Sequence, residues 1–97
     1  MTVVTREHAR EIADNQLRQL YGEGAESLAI DDRATREEDF GWVFFYETQK
    51  YLDDGDPDGR LVGNAPIVVD RDGNVHETGT AEPVDHYVAA IRRRLGF

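Results

Sequence analysis

Cysteine is absent from this 97-residue chain, and serine occurs once. Without thiols the chain has no disulfide framework, no CxxC redox site and no thiolate zinc site. The single serine, Ser27, lies outside any GxSxG motif, and no phosphate-binding GK[ST] sequence occurs. The three histidines, His8, His76 and His86, have no set of metal-ligand partners in the sequence. We therefore expect a protein that is not an enzyme and that holds no cofactor or metal.

Long apolar runs are also missing. The longest, Trp42 to Tyr46 and Tyr87 to Ile91, are far below the roughly 20 residues that a membrane-spanning helix needs. Residues 1–7 lack the basic segment and apolar stretch of a secretion signal. With 39% hydrophobic and 32% charged residues, the composition suits a small globular protein. These features predict one cytoplasmic domain over residues 1–97 that does not enter membranes.

The excess of acidic residues is confined to the middle of the chain. Residues 1–22 and 60–97 each contain as many basic as acidic residues, whereas residues 23–59 contain twelve acidic and three basic ones. The difference of nine equals the whole net charge of −9. Such a field repels nucleic acid and anionic membranes and attracts basic proteins. Two interpretations remain open: solvated turns that aid solubility, or a surface that binds a basic protein.

Two segments have the periodicity of amphipathic helices. Residues 6–21 follow a favourable N-cap residue, Thr5, and repeat apolar residues along one face. Glu82-Pro83 opens the second helix, and its apolar stripe runs from Val84 to Leu95.

Four segments between these helices predict β-strands: residues 27–30, 40–48, 61–70 and 75–78. The second has apolar residues on both faces, which predicts a central strand. In the third, Pro66 cannot donate a ladder hydrogen bond, so we expect a bulge or an unpaired position there. The order α-β-β-β-β-α predicts an α+β fold, with an antiparallel meander of about four strands covered by helix on one face.

Two polar segments are predicted to lack regular structure, an exposed turn at residues 31–39 and a long loop at residues 49–60. Asp54 to Gly59 match the start of a calcium-binding loop, but Ala65 stands where that loop needs glutamate. A solvated turn is the preferred interpretation, and weak calcium binding is left open.

Interfaces for basic partners combine aromatic anchors with carboxylates. The predicted protein-binding residues are Asp31, Asp32, Glu37, Glu38, Asp39, Tyr51, Leu52, Asp53, Asp54, Asp56 and Asp58. A tryptophan among strand aromatics is usually a core residue, and glycine or proline at a strand break shapes the backbone. Structural roles are therefore predicted for Trp42, Gly63, Asn64 and Pro66.

Three short motifs occur in a fixed order: G-W-x-F at residues 41–44, G-N-x-P-I at residues 63–67 and G-T-A at residues 79–81. With these motifs the chain resembles the immunity protein 35 family, also called YrhB-like, over nearly its whole length. The resemblance implies an immunity protein of a bacterial polymorphic toxin system. Such a protein binds a cognate toxin domain and blocks it; the acidic segment favours a toxin with a basic surface. Some relatives have no evident toxin, so the alternative is a stand-alone chaperone-like or peptide-binding protein. The oligomeric state is not predicted.

Overall fold

The computed structural model describes residues 3–55 and 64–97, without the side chain of Ala25. The helices are α1 (Arg6–Tyr21), a 3₁₀-helix (Gly22–Ser27), α2 (Gln49–Asp54) and α3 (Val84–Arg94). The strands are β1 (Leu28–Ile30), β2 (Arg36–Glu38), β3 (Gly41–Phe44), β4 (Tyr46–Thr48), β5 (Ile67–Asp70) and β6 (Val75–His76). The α+β class, with a helix near each end, is confirmed.

The strands of the described residues form two antiparallel sheets. Strands β2, β3, β5 and β6 make a four-stranded sheet in that order, and β1 pairs with β4 in a second sheet. In the larger sheet Trp42 lies opposite Val69 and Val43 lies opposite Val68. The sequence-based expectation of about four strands is thus replaced, over residues 3–55 and 64–97, by six strands in two sheets. Because β3 has a partner on each side, the prediction of a central strand is confirmed.

Helices cover both faces of the larger sheet, where cover on one face was expected. Helix α1 packs Ala9, Ala13 and Leu17 against the face that carries Trp42. Helix α3 packs Val88 and Ile91 against the opposite face, in the cluster that contains Phe40, Val43 and Val68. Successive side chains of a strand point to opposite faces, and both faces carry buried apolar side chains from Trp42 to Phe44 and from Ile67 to Val69. Each face therefore needs its own helix.

The predicted strand at residues 40–48 is divided at Phe45, because its hydrogen-bonding partners change there. The β3–β5 ladder ends at Ile67, beyond which Pro66 has no N–H to donate. The side chain of Asn64 donates to the Tyr46 carbonyl oxygen at 3.0 Å and continues the connection. On the other side, the backbone N–H of Asp31 donates to the Phe45 carbonyl oxygen at 2.8 Å. The aromatic segment thus passes from one sheet into the other.

Two segments predicted as irregular contain regular structure. Residues 36–38 form the edge strand β2, since their backbone pairs with the central strand β3. Residues 49–54 form α2, whose first turn is capped by the Thr48 hydroxyl, which accepts from the Tyr51 N–H at 3.1 Å. Gly55 ends this helix with a φ of +68°. The predicted strand residues 61–63 lie outside the described residues.

Gly41 provides a test of the β3–β5 pairing. A β-carbon at Gly41 would overlap the Val69 carbonyl oxygen and would lie 2.7 Å from the Asp70 Cα. We expect Gly41→Ala to lower the free energy of unfolding by about 1–3 kcal/mol or more, measured by urea denaturation. The control is Gly24→Ala, whose nearest neighbouring atom is 4.0 Å away. Equal denaturation midpoints for the two variants would contradict this packing.

Candidate protein-binding surface

An open groove of about 430 Å³ lies between helix α2 and the turn that follows β1. Its lining residues are Ile30, Asp31, Asp32, Arg33, Tyr51, Leu52 and Gly55. We call it the acidic groove. It brings together four of the predicted protein-binding residues, because α2 returns Tyr51 and Leu52 to the end of β1. Both of these side chains are half-buried.

The two aspartates of the acidic groove differ in their partners. Arg10 of helix α1 donates two hydrogen bonds to the Asp32 carboxylate, at 2.7 and 3.2 Å. The carboxylate raises the pKa of Arg10, chiefly through this hydrogen bond. The Asp31 carboxylate instead accepts from the backbone N–H of Arg33 at 3.2 Å, an interaction that shapes the turn. Within residues 3–55 and 64–97 no cationic side chain pairs with Asp31. Asp31 is therefore the aspartate of the groove without a cationic partner among the described residues, and Arg33 adds a positive charge to the lining.

The acidic residues at positions 37–39 do not line the acidic groove. They lie in β2 and the turn after it, where Arg36 of the same strand and two arginines distant in sequence lie close to them. Asp39 accepts from Arg92 of helix α3 at 2.7 Å, and this hydrogen bond lowers the pKa of Asp39. Glu38 lies 3.6 Å from Arg36, and Glu37 lies 3.9 Å from Arg71. Part of the acidic excess is therefore balanced within the fold.

The remaining predicted binding residues lie at the end of α2 or beyond it. Asp53 and Asp54 are exposed, and Asp53 accepts from the Gln49 side chain at 2.9 Å. Asp56 and Asp58 lie outside the described residues, as does most of the calcium-loop-like sequence. Their roles remain predictions.

The tryptophan of the G-W-x-F motif is part of the core. Only 2% of Trp42 is exposed, and the Arg71 guanidinium lies 4.4 Å from the centre of its ring. Arg71 also donates to the Glu38 carbonyl oxygen at 2.7 Å, which holds the β2–β3 hairpin. Pro66 is buried, and its carbonyl oxygen accepts from the Thr78 hydroxyl at 2.7 Å. Gly63, the remaining residue with a predicted structural role, lies outside the described residues.

A buried carboxylate that the sequence did not single out holds the β5–β6 hairpin. Asp70 is 4% exposed and accepts from the backbone N–H groups of Asp72 and Asn74, each at 2.9 Å. Its second oxygen lies 2.7 Å from His76 Nε2, and Arg94 lies 2.8 Å from His76 Nδ1. Because arginine only donates, Nδ1 accepts and Nε2 donates to Asp70. In the sequence, the pattern that indicates this network is Asp-x-Asp-Gly-Asn with a histidine two residues after the asparagine.

Burial favours the neutral form of Asp70, but hydrogen bonds from His76 and from two backbone N–H groups favour the carboxylate. The balance holds the pKa of Asp70 below its usual range. Within the described residues, no group of three or more histidine, cysteine, aspartate or glutamate side chains has the arrangement of a metal site. The same residues include no helix long and apolar enough to span a membrane.

Fold and surface together define a small acidic α+β protein with an open groove lined by aspartate, arginine, tyrosine and aliphatic side chains. The chain belongs to the immunity protein 35 family, whose sequence model matches residues 7–90. The YrhB protein of Escherichia coli K12, described as an uncharacterized protein, is similar to it, with 45% identity over 49 residues. That match covers 50% of this chain and 52% of YrhB, so the chain spans about half the length of this curated relative. No solved structure matches. Membership of a family of immunity proteins suggests a protein partner and a role other than catalysis.

Asp70→Asn tests the hairpin network. The side-chain NH₂ group of the asparagine can only donate to His76 Nε2, so Nε2 must become an acceptor and the imidazole proton moves to Nδ1. At Nδ1 the proton faces the Arg94 guanidinium, which is also a donor. One hydrogen bond is then lost, and we expect a decrease of about 1.5–3 kcal/mol in the free energy of unfolding at pH 7. Asp72→Asn is the control, since that side chain is exposed in the same turn.

The effect of Asp70→Asn on stability should also depend on pH. The stabilisation from a carboxylate with a lowered pKa is present above its unfolded pKa of about 3.9 and is lost as pH falls through the lower folded value. The stability difference between the wild type and Asp70→Asn should therefore shrink as pH falls below about 4. A constant difference between pH 7 and pH 2, measured by denaturation, would contradict an ionised Asp70.

Proposed function

We propose that this protein is an immunity protein that acts as a single cytoplasmic domain and neutralises a cognate toxin domain by stoichiometric binding. The observation that carries the proposal is the match to the immunity protein 35 family over residues 7–90. A protein of this class needs a surface that recognises another folded protein. The acidic groove supplies the chemistry that such a surface requires.

The groove suits a partner with a basic surface. Asp31 presents a carboxylate without a cationic partner among the described residues, and Tyr51 and Leu52 provide an adjoining apolar contact. Aromatic anchors beside charged groups are a common composition of interface hot spots. The net charge of −9 adds long-range attraction, which raises the association rate and makes it depend on salt.

The Arg10–Asp32 pair limits what the partner can contact. Asp32 already receives two hydrogen bonds from Arg10, so an arriving arginine gains less there than at Asp31. Both members of the pair keep substantial exposure, 43% for the Arg10 side chain and 61% for Asp32. An exposed pair of this kind contributes little to stability. We propose that it fixes the shape of the groove while Asp31 carries the recognition.

The test of the function begins with the toxin. A neighbouring reading frame that encodes a large secreted protein with a variable C-terminal domain identifies the candidate. We expect the purified chain to form a complex of defined stoichiometry with that domain and to abolish its toxicity. Toxicity that persists at saturating immunity protein would refute neutralisation. Unselective binding of denatured proteins would instead assign the chain a chaperone-like role.

Substitutions in the groove test its contribution separately. We expect Tyr51→Ala to weaken the complex by about tenfold or more, and Asp31→Asn to lower the association rate at low salt. Asp72→Asn makes the same change of charge outside the groove and should have a smaller effect on the rate. Surface plasmon resonance at about 20 mM and about 500 mM salt measures both quantities. Unchanged rates in Asp31→Asn, with toxicity still neutralised, would remove the groove from the interface and leave the function standing.

A further inference from the structure

Strand β6 forms one edge of the four-stranded sheet, with β5 as its neighbour. The Asp70 N–H donates to the Asn74 carbonyl oxygen at 2.9 Å, and Val75 lies opposite Val69 in the next pair. Hydrogen-bonded and non-bonded pairs alternate in an antiparallel ladder, so the N–H and C=O of Val75 point away from β5. Neither group has a hydrogen-bond partner in the described part of the chain. This edge is open to a further strand.

The opposite edge of the same sheet differs in its side chains. Strand β2 consists of Arg36, Glu37 and Glu38, and charged residues along an edge discourage pairing with other strands. Strand β6 presents Val75, an apolar residue, beside its free backbone groups. A partner strand is therefore better accepted at β6 than at β2.

A groove of about 250 Å³ runs between the β6 edge and helix α1, and we call it the edge groove. Its apolar lining includes Leu20, Tyr46, Pro66 and Val75, and Gln16 and Glu77 add polar groups. Leu20 lines this groove and is 60% exposed. The groove is smaller than the roughly 300–1,000 Å³ of ordinary small-molecule sites. Its volume suits a single side chain inserted by a partner.

The edge is held rigidly by contacts behind it. His76 is fixed by Asp70 on one side and Arg94 on the other, at 2.7 and 2.8 Å. The Thr78 hydroxyl donates to the Pro66 carbonyl oxygen at 2.7 Å and holds the end of the groove. A binding edge that is already ordered loses little conformational entropy when a partner arrives.

We propose that the β6 edge and the edge groove bind an extended segment of another protein, which adds as a strand beside Val75. One apolar side chain of that segment enters the edge groove, and a basic side chain lies against exposed Glu77. A second copy of this chain is disfavoured as the occupant, since each copy carries a charge of −9. This inference goes beyond toxin neutralisation and does not depend on it.

A short synthetic peptide of alternating lysine and leucine, labelled with a fluorophore, is the probe. Backbone pairing predicts that N-methylation of alternate peptide amides weakens binding by about tenfold or more, measured by fluorescence anisotropy. An alternating glutamate and leucine peptide should bind more weakly than the lysine peptide, because it meets Glu77 and the net negative charge.

Variants of the protein test the same contacts. Val75→Pro removes the outward N–H and leaves the hydrogen bonds between β5 and β6 in place, so we expect about a tenfold loss of affinity. Leu20→Ser should weaken binding through loss of apolar contact in the edge groove. Asp72→Asn is the control for folding and charge. If Val75→Pro fails to fold, the N-methylated peptide tests the same hydrogen bonds with the unaltered protein.

Three outcomes would overturn the proposal. Equal affinity for the parent and N-methylated peptides would exclude strand addition. Weaker binding in Asp31→Asn but not in Leu20→Ser would place the peptide in the acidic groove. A dimer in analytical ultracentrifugation that Val75→Pro dissociates would identify a second copy as the occupant of the edge.

Discussion

The antiparallel pairing of β3 with β5 is the interaction on which the rest of this fold depends. It places Trp42 beside Val69 on one face and Val43 beside Val68 on the other, and none of these four residues is more than 2% exposed. Full burial of an apolar side chain of this size contributes about 1.5–3 kcal/mol, so neither face can be left in water. Helices α1 and α3 are both required for that reason. The close approach at Gly41 and the ladder end at Pro66 set the limits of the pairing.

The same pairing determines where the acidic residues lie. Since β3 is central, the polar segment before it becomes the edge strand β2. Helix α3 packs against the face of the sheet that carries Val43 and Val68. This brings Arg92 to Asp39 and Asp85 of α3 to Arg36, with ion pairs of 2.7 and 2.8 Å. Exposed pairs of this kind add little stability, but they neutralise charges that the sequence leaves in excess. In the acidic groove, by contrast, the Asp31 carboxylate accepts only from a backbone N–H among the described residues.

Apolar periodicity predicted the segments whose structure depends on their own residues: α1, α3, the aromatic segment at residues 40–48 and the part of the predicted strand 61–70 that forms β5. It did not predict β2, because Arg36–Glu38 is a strand only through its pairing with β3. Helix α2 could have been anticipated from the Thr48 cap and from Gly55, but the aspartates around them favoured a loop. The convergence of Asp31 with Tyr51 depends on β1 pairing with β4, residues far apart in sequence. Contacts between residues far apart in sequence leave no local sequence pattern from which they could be predicted.

The two proposed binding surfaces would differ in the range over which they act. The acidic groove would attract a partner through charge, which extends about 10 Å at moderate salt and has little dependence on the partner's backbone conformation. The β6 edge would act only at hydrogen-bonding distance and accept only an extended backbone, whose side chains must also suit the edge groove. Charge can raise the rate of encounter with any basic protein, whereas strand pairing with an inserted side chain discriminates among them. A partner that used both surfaces would therefore associate quickly and would still be selected by its sequence.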